Sequence, residues 1–161
     1  MMKRVAIAAA VLTIGAAGCG SNGTGTNPSN IKVFTVQMTA QNEVPPIPNA
    51  ESTARGTAVL TFNTEANTID FNVSLSGFTP TSAITIAHIH PGAAGTTGGV
   101  LVSTGLSPGT VVLTNGAGTF SFPGVGVSAA TMQQILAAPQ NFYFNVHTSL
   151  NGTGAIRGQL Q

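Results

Sequence analysis

Between residues 68 and 75 apolar and polar side chains alternate without a break, Ile69, Phe71, Val73 and Leu75 against Asp70, Asn72 and Ser74. A period of two fits an extended strand with one face buried and the other in water, because successive side chains leave opposite sides of the backbone. The same alternation recurs over residues 33–38, 56–62, 117–122 and 141–147. Asn63-Thr64-Glu65-Ala66-Asn67 separates two of these runs and reads as a five-residue hairpin loop. Residues 84–90 form a further strand, and short apolar runs lie at Val100-Leu101-Val102 and Val111-Val112-Leu113. Strands this short and this evenly spaced, in a chain with 20 glycines and only 6% charged residues, predict an all-β fold. The expected form is an antiparallel sandwich or a Greek-key-like barrel. One short helix is predicted near residues 128–138, with Ser128 as N-cap, Met132, Ile135 and Leu136 at helical spacing, and Pro139 as the stop.

The amino terminus carries a different signal. Met1-Met2-Lys3-Arg4 is basic, and residues 5–14 form an apolar stretch of ten, half of the roughly twenty residues a spanning helix needs. It reads as a secretory signal. Gly15-Ala16-Ala17-Gly18-Cys19 resembles the bacterial lipoprotein signal, with Ala16 where that signal usually has leucine. The resemblance implies a signal peptide at 1–18, a lipid on Cys19 and membrane anchoring to the cell envelope, on the outer-membrane or periplasmic side in a Gram-negative cell. Residues 20–30 are rich in Gly, Ser, Asn and Thr and bury too little to fold, so 19–30 is expected to be a flexible tether for a domain over 31–161.

Removal of residues 1–18 leaves Lys32, Arg55 and Arg157 against Glu43, Glu51, Glu65 and Asp70, three bases and four acids. A net charge near −1 offers no basic patch, which argues against a nucleic-acid partner. The chain's one cysteine is Cys19, so packing alone must hold the domain. None of the four acids lies within a few residues of a histidine, and there is no Gly-x-Ser-x-Gly elbow; neither a hydrolytic triad nor a carboxylate pair is suggested. The Gly-rich loop at 91–99 lacks the helix and lysine context of phosphate binders.

The three histidines fall in two strand runs, Ala87-His88-Ile89-His90 and Asn145-Val146-His147. His88 and His90 share a face, about 6–7 Å apart along the strand. Phe142, Phe144 and Val146 take the core, which puts His147 on the other face with Tyr143 and Asn145. Imidazole is the commonest protein metal ligand, and three of them with an open position suit copper or zinc. The ring orientations would be fixed by Asn145, Thr148 and backbone carbonyls. The alternative is three hydrogen-bonding histidines near turns. Arg157, opposite Ile156 and Gly158, either attracts anions or satisfies carbonyls and pairs with Glu43 or Glu51. Glu43-Val44-Pro45-Pro46 either presents a preordered recognition loop or connects sheet edges, since Pro45, Pro46 and Pro48 exclude a central strand.

Four motifs in order carry a family resemblance: Glu43-Val44-Pro45-Pro46, Ala87-His88-Ile89-His90, Tyr143-Phe144-Asn145-Val146-His147-Thr148 and Ile156-Arg157-Gly158-Gln159-Leu160. They are similar to the CHRD, or chordin-type, domain. The resemblance implies a β-rich extracellular module, single in bacterial exported proteins and repeated in animal chordin, where it binds growth factors of the bone morphogenetic class. For this chain it implies a noncatalytic envelope or surface module that binds a protein or glycan. His88, His90, His147 and Arg157 also resemble the copper site of copper–zinc superoxide dismutase. In that likeness the three histidines ligate copper and Arg157 attracts the anionic substrate. No histidine remains for a bridging ligand or a zinc site. Three readings stand: a partner-binding module, a copper- or zinc-binding module, and a dismutase-type enzyme.

Overall fold

The structure, a computed structural model, describes residues 30–161, so the signal sequence, Cys19 and nearly all of the tether lie outside the described residues. Among the described residues, strands β1 (Ile31–Thr39), β2 (Arg55–Asn63), β3 (Thr68–Ser76), β4 (Ile84–Pro91), β5 (Val102–Ser103), β6 (Gly118–Gly126), β7 (Phe142–Thr148) and β8 (Ile156–Gln159) accompany one α-helix, α1 (Ala129–Ala137). They form one sheet in the order β5-β4-β7-β8-β1-β2-β3-β6, antiparallel at every pairing. The all-β expectation holds, and the core comes from a single sheet curled over its own apolar face.

Two aromatic rings record the curl. Phe71 on β3 and Phe144 on β7 are four strand positions apart in the sheet order, about 19 Å at the usual interstrand spacing, yet their ring centroids are 5.5 Å apart. Ile69, Phe71, Val73 and Leu75 are all buried in the core they share with Phe142, Phe144 and Val146. The helix begins as its sequence dictates: Ser128 Oγ accepts from the Thr131 N–H at 3.0 Å, and Met132 and Ile135 face the core.

Three local expectations need correction. Asn63 pairs with Thr68 across the hairpin, which shortens its loop to the four residues 64–67; Asn63 Oδ1 accepts from the N–H groups of Glu65 and Ala66 and draws the turn tight. Val111-Val112-Leu113 forms no strand: Val112 is 79% exposed, and the only nearby pairing is the isolated bridge of Thr114 with Ala117. In the run Val100-Leu101-Val102 the strand begins only at Val102, and Val100 is exposed.

The two halves of the sheet differ on their outer side. On β3, Asn72 and Ser74 are exposed, whereas every residue of β7 is buried. Loops cover β4, β7 and β8 from outside, and they hold on through polar contacts. Arg157 donates to the carbonyls of Thr96 and Ala93, Asn42 Nδ2 donates to the Arg157 carbonyl, and Gly152 and Gly98 present carbonyls to His147 and His90. Glu51, fully buried, ties three segments together by accepting from Ser82 Oγ, Thr148 Oγ1 and Asn151 Nδ2. A buried carboxylate is tolerated when such donors replace its water.

Candidate metal centre

Register decides which side chains meet. Residues directly opposite on antiparallel strands project to the same face, and His88 faces Asn145, His90 faces Tyr143, Asn145 faces Arg157 and Tyr143 faces Gln159. His147 joins them, two residues beyond Asn145 on β7. The outer face of β4, β7 and β8 is therefore a polar layer, sealed by the loops above it.

Within this layer His88, His90 and His147 converge. Each offers a ring nitrogen, and the three nitrogens lie within 4.8 Å of one another. The residues are only 6–7% exposed. Nitrogens on one ion at about 2.0–2.1 Å would sit about 3.4 Å apart in a tetrahedron, so loading asks for side-chain shifts of roughly an ångström. The sequence placed all three on one side of their strands, and the structure brings them together.

Hydrogen bonds set the ring orientations. His90 Nδ1 lies 3.0 Å from the Gly98 carbonyl, which accepts only, so Nδ1 carries a proton and Nε2 is the nitrogen left to face the other rings. His90 Nε2 is buried and has no hydrogen-bond partner, and the same is true of His88 Nδ1. His147 Nδ1 donates likewise to Gly152, at 3.0 Å, leaving its Nε2 3.1 Å from Asn145 Oδ1. Burial, and then the charges of His147 and His90, push the His88 imidazole down to about 4. Burial also holds His147 below its ordinary value, opposed by the Gly152 carbonyl. Neutral imidazole is the form that binds metal.

Flanking residues stack in a column across three strands. The His90 ring lies parallel to Tyr143, 4.9 Å between centroids and 7° between planes, and the Arg157 guanidinium covers Tyr143 with Cζ 3.7 Å from the ring centre. Arg157 is 1% exposed and also donates to Gln159 Oε1. Of the two uses the sequence allowed it, satisfying carbonyls is the one its contacts display. Thr148, expected near the rings, instead bonds Glu51.

Glu43 is where sequence reasoning missed a buried group. Within Glu43-Val44-Pro45-Pro46, Val44 and the prolines are exposed, but Glu43 is only 7% exposed and its Oε1 has no partner. Gly154 (φ +139°) makes room for it: a Cβ there would lie 2.7 Å from Glu43 Oε1. Burial pushes the carboxyl up to about 7, against the pull of the Arg157 charge. No local sequence signal marks this burial. Glu43 also borders a cleft of about 470 Å³ lined by Gln37, Gln41, Val44, Pro46 and Arg157 among others.

The model of the CHRD domain matches residues 34–160. The chain belongs to the CHRD family. The match runs from β1 to the residue after β8, so the curled sheet, the covering loops and all three histidines lie within the CHRD domain. Comparison with curated proteins and with solved structures gave no match.

Proposed function

We propose that this CHRD protein binds a divalent transition metal, copper or zinc, through His88, His90 and His147, without turnover. The observation that carries the reading is the convergence of three imidazoles within 4.8 Å, two of them with a buried nitrogen that has no partner. A buried unpaired polar atom costs about 1–3 kcal/mol; an ion at the common centre would give each its missing partner. All-imidazole ligation suits zinc and copper(II).

The dismutase-type reading has less support, because Arg157 is engaged with Thr96, Ala93, Gln159 and Tyr143. Its counterpart in an anion-attracting role would need free donors. We further propose that the domain works exported and lipid-anchored at Cys19, on the basis of residues 1–19. A second role, docking an envelope or extracellular protein or glycan, is supported by the cleft beside exposed Val44 and Pro46; capture from envelope extract by the chain, reduced by Val44→Asp, tests it.

The metal reading is tested by metal content after copper or zinc loading and dialysis, for the full chain and for His90→Ala and His147→Ala, with circular dichroism to verify folding. One ion per wild-type chain and loss in both folded variants is expected. Equal content in all three would end the proposal.

A further inference from the structure

We infer that Asn145 is the fourth metal ligand, through its side-chain oxygen, and that it closes the coordination sphere of the three histidines. This rests on the metal reading above and specifies its coordination.

The first ground is a pair of facing acceptors. His147 donates through Nδ1 to the Gly152 carbonyl, so the neutral ring has only a lone pair at Nε2. Yet Nε2 lies 3.1 Å from Asn145 Oδ1, another acceptor. Two lone pairs at that separation have no proton to share. The distance matches two ligands on one ion, since bonds of about 2.0–2.2 Å at tetrahedral or right angles put neighbouring donor atoms about 2.9–3.5 Å apart.

The second ground is position. Asn145 is the direct cross-strand partner of His88 on β4 and lies two residues from His147 on β7. It is 2% exposed, so it projects into the sealed layer between two of the ligands.

Chemistry follows from the count. Three nitrogens and one amide oxygen make four neutral ligands, the number at which structural zinc sites close. A closed site binds an ion without leaving a position for substrate, which sets this centre apart from an open redox or hydrolytic one.

The test uses zinc alone on the full chain. Affinity is measured by competition with a chromogenic chelator for wild type, Asn145→Ala and Asn145→Asp, alongside the ¹³C shift of the Asn145 carboxamide carbon on zinc addition. A ligand role predicts about 10–100-fold weaker binding in Asn145→Ala, retention in Asn145→Asp because an oxygen remains, and a carboxamide shift in the wild type. Should Asn145→Ala fail to fold, the wild-type carboxamide shift still decides. Wild-type affinity in Asn145→Ala, or an unmoved carboxamide carbon in zinc-loaded wild type, overturns the inference and leaves the three-histidine site standing. Absence of zinc binding by the folded wild type overturns both.

Discussion

His90 and Tyr143 lie face to face, 4.9 Å between ring centroids and 7° from parallel, because β4 and β7 place them directly opposite one another. Arg157 covers Tyr143 from β8 at 3.7 Å, so the ring that orients His90 is held by a cation anchored to the loop above it. Tyr143→Phe keeps both stacks and is expected to stay within about 1 kcal/mol of wild type. Tyr143→Leu removes them, and a stability loss of about 1–3 kcal/mol with roughly tenfold weaker zinc binding is expected from urea unfolding and zinc titration.

His88 makes stability depend on pH in the acidic range. Its imidazole is pushed from 6.5 down to about 4 in the fold, so between these values the unfolded chain binds the extra proton and stability rises with pH. The contribution is present above about 6.5 and is lost as pH falls toward 4. Glu43 titrates oppositely over nearly the same range, so the effect is read as a difference: the urea midpoint of the metal-free wild type minus that of His88→Gln should climb across this window. A flat difference would contradict the buried neutral imidazole.

Glu43 acts in the opposite direction. Its carboxyl, raised from 4.5 to about 7, holds a proton in the fold that the unfolded chain has released, so stability falls as pH rises from about 4.5 through 7. Glu43→Gln stays neutral throughout. The variant should gain on wild type with rising pH, by on the order of 1–3 kcal/mol at pH 8, read from unfolding curves at pH 5 and 8.

Glu51→Ala should be among the most damaging single changes away from the histidines. It leaves the side chains of Ser82, Thr148 and Asn151 without their shared acceptor, at a cost of about 3–5 kcal/mol. Asn151 begins the turn that carries the Gly152 carbonyl to His147, so faster hydrogen exchange over residues 148–154 should accompany the loss.

Much of this was legible in the sequence because alternation reports faces. Phe142, Phe144 and Val146 identified the core side of β7, which assigned His147 to the other, and His-x-His put two rings on one side of β4. Ser128 and Pro139 bounded the helix. The period of two does not report what lies above an outer face, so the loops that bury Tyr143, Asn145 and Arg157 were not foreseen. Glu43 looked like part of an exposed proline loop because its burial depends on Gly154, 111 positions away. Val111-Val112-Leu113 has strand composition but joins no ladder, and the chain pairs only beyond it, at the single Thr114–Ala117 bridge.

X-ray absorption on the zinc-loaded full chain tests the central claim most directly. A first shell of three imidazole nitrogens and one oxygen at about 2.0–2.2 Å, with the outer-shell scattering of imidazole rings, is the predicted result. A shell of oxygens alone, without imidazole scattering, would contradict it.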